Sequence, residues 1–231
     1  VRIKGVQRPR AVMAISAVIM NLDGVLVDSS RLHARAWNQV LPPFGLRFDT
    51  NWFTPWIGVA DERLAAHLCQ HYPIPQPSEE LVLNKRGRYS ELARHGLRTF
   101  AGLHERLECL ENIPLAVATN SRRYEALRAL KRVNLDKLID VVISSQEVPR
   151  PKPTPDPYLM AAHRLGVAPK DCVAIEDSCI GIQSAREAGC RVVAVLSDPC
   201  TRGLAGVAHK VSSPIGALDW LLERVKSESI A

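Results

Sequence analysis

The second half of this chain alternates between short apolar runs and helical patterns. The run IPLAVAT at residues 113–119 is followed by a segment at 121–133 whose apolar residues recur at helical spacing. Continuous apolar strands separated by helices predict a parallel sheet with helices on both faces, a Rossmann-like α/β core. The predicted strands are 15–21, 113–119, 139–145, 172–176 and 191–196, and the predicted helices are 121–133, 156–166, 179–189 and 215–226.

The pattern changes between residues 31 and 98, where no clear strand is present. Helical stretches are predicted at 30–41, 60–71 and 78–95, and a proline-rich turn at 72–77 separates the last two. Such a long insert after the first strand predicts an all-helical cap above the sheet. The predicted domains are a discontinuous α/β core of residues 14–30 and 99–231, a helical cap of residues 31–98, and a basic tail of residues 1–13.

Composition and charge argue against nucleic-acid-binding and membrane proteins. The hydrophobic fraction of 46% is sufficient for a sizeable core, and the formal charge of +6 owes much to four basic residues among the first ten. The charge therefore argues only weakly for nucleic-acid binding. The apolar stretch at 11–20 is too short to span a bilayer, so we expect a soluble cytoplasmic protein that binds neither membrane nor nucleic acid.

Cysteine spacing indicates free thiols rather than a metal site or a disulfide framework. No C-x-x-C pair and no Cys/His zinc spacing occurs in the sequence. Buried free thiols in a reducing compartment are the expectation. The six cysteines are Cys69, Cys109, Cys172, Cys179, Cys190 and Cys200.

Polar residues follow the predicted strands at the points where each strand ends. Ligands of an open parallel sheet bind beyond the carboxyl ends of its strands, so these residues are candidates for a functional site. Acids, a lysine, amides and hydroxyls together suit a phosphate and a divalent cation. The candidates are Asn21, Asp23, Thr119, Asn120, Ser121, Lys152, Glu176 and Asp177.

These segments resemble, in order and spacing, the four motifs of the haloacid dehalogenase superfamily of phosphotransferases. The matching segments are NLDGVLVDS at 21–29, Thr119 at the end of LAVAT, PKPTPD at 151–156, and AIEDSCIG at 174–181. Within that superfamily the chain is similar to the helical-cap branch, which contains beta-phosphoglucomutase and phosphoglycolate phosphatase-like hydrolases. The resemblance covers roughly residues 14–200 and implies phosphoryl-transfer chemistry.

The resemblance assigns catalytic roles to four positions. In the family, an aspartate at position 21 attacks phosphorus and forms an aspartyl-phosphate. Asp23 would protonate the leaving oxygen and then activate water, and Thr119 would bind phosphate oxygens. Lys152 would neutralise charge on the phosphoryl group.

The resemblance also implies a Mg²⁺ ion as cofactor. Two adjacent acids at a buried strand end repel each other unless a cation is present, and Mg²⁺ takes oxygen ligands. Asp177 would bind the ion directly and Glu176 directly or through water. The side chain of Asn21 and the backbone carbonyl of Asp23 would complete the ligands supplied by the protein.

Position 21 departs from the family pattern, because asparagine stands where the nucleophilic aspartate is expected. An amide is not a competent nucleophile towards phosphorus, so we predict that this chain is severely impaired. Three explanations remain open. The asparagine was introduced to trap a substrate complex, the natural protein binds phosphate compounds without turnover, or another group attacks, such as water activated by Asp23.

The cap residues bear on the substrate. His33, Lys85 and Gly58 match substrate-contacting positions of the family, and Asn120 is the corresponding candidate in the core. Ile57 and Asp61 stand where the mutases have basic residues, which argues against a bisphosphate intermediate. Apart from Lys85, the cations late in the cap are predicted to lie on a solvated helix face; they are Arg86, Arg88, Arg94 and Arg98.

The leading hypothesis is a Mg²⁺-dependent phosphatase acting on a small phosphorylated metabolite, either a sugar phosphate or a phosphoglycolate-like compound, as a monomer or small homo-oligomer. The alternatives are a beta-phosphoglucomutase-type mutase and a non-catalytic protein that binds a phosphorylated ligand. Dehalogenase chemistry is the weakest alternative, because it also needs a carboxylate at position 21.

Overall fold

Six parallel strands form one sheet. The computed structural model describes residues 15–196 and 206–228. In the strand order β3-β2-β1-β4-β5-β6, β1 lies at the centre, with Val18 opposite Leu115 of β2 and Val173 of β4. The parallel sheet predicted from the apolar runs is confirmed. The strands are β1 (Ala17–Met20), β2 (Leu115–Ala118), β3 (Val141–Ile143), β4 (Cys172–Glu176), β5 (Arg191–Val195) and β6 (His209–Val211).

Helices cover both faces of this sheet. Successive residues of a strand point to opposite faces, so Val18 and Met20 pack on one side while Ala17 and Ile19 pack on the other. The first side is covered by α4, α5 and α8, and the second by α6 and α7. The core helices are α4 (Leu103–Glu108), α5 (Arg123–Arg132), α6 (Asp156–Leu165), α7 (Cys179–Glu187) and α8 (Pro214–Glu228).

Three helices between β1 and α4 have a hydrophobic cluster of their own. They are α1 (Ser30–Val40), α2 (Asp61–His71) and α3 (Ser78–Gly96), and the segments Pro42–Phe44 and Thr50–Trp56 form 3₁₀ turns. Trp37, Leu68 and Leu81 are almost completely buried within this cluster. We refer to this insert as the cap; the boundaries proposed for it at residues 31 and 98 stay a prediction.

The sequence pattern overestimated the length of some strands. The predicted strands 113–119 and 139–145 are shorter in the structure, because their terminal residues turn into loops that carry polar groups. Two short elements, α4 and β6, were not predicted. β6 contains only three residues, His209–Val211, which are exposed or half-buried and therefore lack the apolar signal of an inner strand.

Several expectations concern residues outside the described ranges or need correction. Cys69, Cys109, Cys172 and Cys190 are free thiols as predicted, but of these four only Cys172 and Cys190 are buried, whereas Cys69 is half-buried and Cys109 is exposed. The prediction is wrong for Cys179, which takes part in a disulfide. The basic tail at 1–13 and Cys200 lie outside the described residues.

No helix in residues 15–196 and 206–228 combines the length and the hydropathy needed to cross a bilayer.

Candidate active site

The sheet brings distant polar residues together at the carboxyl ends of its strands. Asn21 directly follows β1, Thr119 directly follows β2, and Glu176 is the last residue of β4. Lys152 reaches this edge from the loop between β3 and α6. Because parallel strands end at the same edge, residues more than a hundred positions apart contact one another there.

Asn21 lies at the centre of this site and is buried. Its side-chain Nδ2 donates hydrogen bonds to the backbone oxygen of Asp23 at 2.8 Å and to Oδ1 of Asp177 at 2.9 Å. Its Oδ1 accepts a hydrogen bond from Nζ of Lys152 at 3.1 Å. The amide is therefore held on both sides by charged or strongly polar groups.

Lys152 is the buried cation of the site. Its Nζ donates to the backbone oxygen of Ala118 at 2.7 Å and to Oε1 of Glu176. Tyr158 donates a second hydrogen bond, of 2.7 Å, to the same carboxylate oxygen. Glu176 thus faces Lys152 and Tyr158, whereas Asp177 faces Asn21.

The acids outnumber the nearby cations. Burial, together with the negative charge of Glu176, raises the pKa of Asp177 from 3.8 to about 7. The hydrogen bond from Asn21 and the charge of Lys152 offset this only in part. The carboxyl of Asp177 is therefore a group that an additional cation would stabilise in its charged form.

Two glycines leave space for these acids. A Cβ atom on Gly24, which has a φ of +79°, would lie 1.8 Å from Oδ2 of Asp177. A Cβ atom on Gly181 in α7 would lie 2.1 Å from the carboxyl group of Glu176. Both distances are far shorter than a van der Waals contact, so the two carboxylates occupy volume that only glycine leaves open.

Asp23 is the second carboxylate after β1. It accepts hydrogen bonds from Ser29 Oγ at 2.5 Å and from Ser121 Oγ at 2.9 Å, and Nε2 of His33 lies 3.4 Å from its Oδ1. Burial opposes ionisation, but His33 and the two hydroxyls outweigh it and hold the pKa of Asp23 far below 3.8. Asp23 is therefore anionic in this arrangement, with His33 as its neighbour on the cap side.

A line of polar contacts extends from His33 into the cap. Nζ of Lys85 lies 2.7 Å from Nδ1 of His33 and donates to Oδ1 of Asp61 at 2.6 Å. The ring of Tyr89 stacks on that of His33 at 4.1 Å. Lys85 is fully buried and approaches the cavity behind His33, Asp61 and Trp37, which line it, so a direct substrate contact of Lys85 stays a prediction.

Asn120 connects the core to the cap. Its Nδ2 donates to the backbone oxygen of Gly58 at 3.1 Å, and its Oδ1 accepts from the backbone N–H of Lys152 at 3.0 Å. Thr119, the preceding residue, accepts a hydrogen bond from the N–H of Ser121. The predicted substrate positions at 58 and 120 thus contact each other, and both line the cavity described next.

A cavity of about 110 Å³ lies between these residues and the cap. Its core side is polar, and its cap side is largely apolar and aromatic. Asp61, Glu125 and Arg86 are the charged groups near the cap side. The apolar lining includes Ala34, Trp37, Phe53, Trp56, Ile57 and Leu64.

Two residues of this region were not identified correctly from the sequence. Arg86 was predicted to be solvated, but it is only 13% exposed, with Glu62 at 2.9 Å and Glu125 at 3.4 Å. That prediction is wrong because α3 faces the core at this point. Tyr89 was not singled out, although it follows Lys85 by four residues and so lies on the same helix face.

The oxygen ligands at this site suit a hard cation, except that residue 21 presents an amide nitrogen to them. The backbone oxygen of Asp23 and Oδ1 of Asp177 converge on one atom, Nδ2 of Asn21. Among residues 15–196 and 206–228, no cluster of three or more His, Cys, Asp or Glu side chains is arranged to hold a metal. A carboxylate at position 21 would add the third acid, whereas an amide supplies only a neutral oxygen.

Comparison with known proteins places this geometry in a family. Residues 18–195 match the family model described as haloacid dehalogenase-like hydrolase. The chain belongs to this family. A phosphorylated carbohydrates phosphatase of Thermotoga maritima is 32% identical over 181 residues, covering 76% of this chain and 82% of the relative. By resemblance, the chain is a phosphoric monoester hydrolase of this family.

Other relatives include both hydrolases and mutases. A beta-phosphoglucomutase of Bacillus subtilis is 31% identical and covers 78% of this chain and 83% of the relative. The crystal structure of CbbY from Rhodobacter sphaeroides in complex with phosphate has a TM-score of 0.77 at 25% identity, covering 89% of this chain and 99% of that one. The family resemblance and the α/β fold predicted from the motifs are thus confirmed.

Proposed function

We propose that this site belongs to a Mg²⁺-dependent phosphatase of a small phosphorylated metabolite, and that Asn21 leaves this chain with severely impaired turnover. The observation that carries the proposal is the position of the Asn21 amide, between the ammonium of Lys152 and the carboxylate of Asp177. A carboxylate in that position would lie where the family's nucleophile attacks. Asparagine has the same shape but cannot form the acyl-phosphate.

The remaining residues retain the chemistry of phosphoryl transfer. Lys152 provides a buried positive charge for phosphoryl oxygens, and Thr119 adds a hydroxyl at the same edge. Asp23 with His33 would carry the proton to the leaving oxygen, since His33 lies between Asp23 and Lys85. Because Asp23 is anionic, the proton must reach it through His33 or with the substrate.

Mg²⁺ would be held by Asp177 and by the backbone oxygen of Asp23, whereas Asn21 would supply its side-chain oxygen only if its amide group turned over, because Nδ2 now faces those two oxygens. When bound, it would supply positive charge that stabilises the transferring phosphoryl group. Glu176 is already engaged by Lys152 and Tyr158, so we assign it the role of orienting Lys152 and acting on the ion through water.

The cap side of the cavity favours a monophosphate. A second phosphate needs an unpaired cation, but Arg86 is held by acidic side chains, and Asp61 and Glu125 also line the cavity. The apolar and aromatic lining suits an uncharged organic group such as a sugar. The relative that acts on phosphorylated carbohydrates supports this substrate class. The mutase relative is the specific reason to keep isomerisation as the second candidate.

The decisive experiment compares the chain as it stands with Asn21→Asp on hexose monophosphates and phosphoglycolate, with Mg²⁺, by phosphate release. We expect the carboxylate to raise turnover by several orders of magnitude, up to about 10⁶. Asn84→Asp, at an exposed position of α3, is the matched control and should leave activity unchanged. If Asn21→Asp binds these compounds saturably but releases no phosphate, the phosphatase proposal is contradicted and a non-catalytic ligand-binding protein is favoured.

A product assay separates hydrolysis from isomerisation. Asn21→Asp would be incubated with a hexose 1-phosphate, with and without a hexose bisphosphate, and the products separated by chromatography. Free hexose and phosphate are expected in both cases. Accumulation of hexose 6-phosphate that depends on the bisphosphate would overturn the phosphatase in favour of the mutase.

A further inference from the structure

A second cavity lies between the cap and the core, with α3 and α5 as its walls. It encloses about 200 Å³ and shares Arg86 and Glu125 with the catalytic cavity. We call it the α3–α5 groove. Its apolar and aromatic lining consists of Tyr89, Ala93, Leu97, Tyr124 and Ala129.

The charge of this groove is positive. Arg86 and Glu125 lie 3.4 Å apart and neutralise each other. Arg128 and Arg132 also line the groove, and neither has a carboxylate within ion-pair distance among the described residues. Arg128 instead donates to the hydroxyl of Tyr124 at 2.8 Å, with its guanidinium carbon 5.2 Å from the ring centre. Two cationic side chains are thus without a compensating anion.

Arg132 has an unsatisfied donor at this position. Its Nη1 is buried and makes no hydrogen bond with any described residue. Leaving a buried donor without an acceptor is destabilising, and more so when the group is charged. Such groups are rare in native proteins and call for a water or an ion as partner. An anion beside Arg132 and Arg128 would satisfy both side chains together.

We propose that the α3–α5 groove binds a small organic anion with a flat apolar body. The anionic group lies against Arg128 and Arg132, and the body packs on Tyr89, Tyr124 and Ala129. Aromatic faces and guanidinium groups stack well on planar ligands, which favours such a body over a bare inorganic ion.

The groove adjoins the catalytic cavity, with which it shares Arg86 and Glu125, and it bridges cap and core. A ligand that contacts α3 and α5 at once binds best when the two helices are in their present relation, so it favours that arrangement over an open one. By linkage, it and a ligand of the catalytic cavity change each other's affinity by the same factor. Binding in the groove does not depend on which reaction the catalytic site performs.

The test uses 1-naphthalenesulfonate, a flat anion that is not a phosphate ester, in calorimetric titrations of the full chain. We expect saturable binding with one site. Arg128→Gln and Arg132→Gln should each weaken it at least tenfold, which corresponds to about 1.4 kcal/mol. Arg94→Gln removes the same charge from an exposed position of α3 outside the groove and should change nothing.

Three results would overturn the proposal. The first is the absence of saturable binding, the second is an affinity of both arginine variants equal to that of the unsubstituted chain, and the third is the pattern of chemical shifts described below. Amide chemical shifts of the unsubstituted chain provide a test that does not depend on the folding of variants. The sulfonate should shift resonances of α3 and α5, and shifts confined to residues at the ends of β1 and β2 would contradict the site.

Discussion

Nδ2 of Asn21 lies 2.9 Å from Oδ1 of Asp177, and the same nitrogen lies 2.8 Å from the backbone oxygen of Asp23. One amide N–H₂ group thus bridges two oxygens that would otherwise face each other without a donor. A carboxylate at position 21 would bring three oxygens together, which is stable only with a cation between them. The identity of residue 21 therefore determines how strongly this site needs a metal ion.

This relationship predicts different Mg²⁺ affinities for the two residues. Asn21→Asp should bind Mg²⁺ at least tenfold more tightly than the present chain, by about 1.4 kcal/mol, because it adds a charged ligand. Isothermal titration calorimetry measures this without any substrate, and Asn84→Asp controls for the added charge. Equal affinities in all three proteins would show that position 21 does not contact the ion.

The raised pKa of Asp177 predicts a stability effect with a defined sign. The folded state holds this proton more tightly than the unfolded chain, so ionisation of Asp177 lowers stability as pH rises from about 4 to about 7. Asp177→Asn should therefore stabilise the protein at pH 8, on the order of 2 kcal/mol, and have little effect at pH 4. Urea unfolding with a chelator present measures this. Asp136→Asn, at an exposed position, should show no such dependence.

Removing the buried ammonium group of Lys152 should lower the stability of the folded protein. Lys152→Met leaves Glu176 buried with only Tyr158 and nearby polar groups as partners, and such a change costs about 3–5 kcal/mol. Adding Glu176→Gln should recover part of the loss, because the uncompensated charge disappears. Equilibrium unfolding of both variants checks this, with exposed Lys170→Met as control. A double variant less stable than Lys152→Met would refute the explanation.

Glu147, which lies away from the site, should contribute to the free energy of unfolding in a way that is lost in acid. Burial opposes its ionisation, but hydrogen bonds from Ser144, Arg164 and Arg123 lower its pKa from 4.5 to about 2. Its stabilisation is complete above pH 4.5 and is lost as pH falls towards 2. Glu147→Gln should cost about 2 kcal/mol at pH 7.

The pH dependence of Glu147→Gln tests whether the charge of Glu147 causes this stabilisation. The difference in unfolding free energy between Glu147→Gln and the unsubstituted chain should shrink between pH 4.5 and pH 2.5. Glu111→Gln, at an exposed position, should show no difference at any pH. A constant gap for Glu147→Gln would mean that packing, rather than charge, makes the contribution.

The sheet was predictable because its strands are continuous apolar runs that alternate with helices. The convergence of Asn21, Lys152 and Asp177 was predictable for a related reason, since parallel strands end at one edge. Which of two adjacent acids faces position 21 was not predictable. Neighbouring residues at a strand end point in opposite directions, so the register of β4 directs Asp177 to Asn21 and Glu176 to Lys152.

The cap illustrates what a single sequence does not reveal. His33, Lys85 and Asp61 come from three different cap helices, and only their packing forms the line of contacts that ends at Asp23. Arg86 follows Lys85 directly, yet its partners include Glu125 of the core helix α5. Such ion pairs depend on how the cap meets the core, which no local pattern of charges encodes.

Gly24 and Gly181 should tolerate substitution poorly, although neither has a functional group. A methyl group at Gly24 would overlap the carboxyl group of Asp177, and a methyl group at Gly181 would overlap that of Glu176. A mutational survey restricted to ionisable residues would overlook both. Alanine at either position would therefore displace the neighbouring carboxylate, so the site depends on the absence of a side chain at Gly24 and Gly181 as well as on its acids.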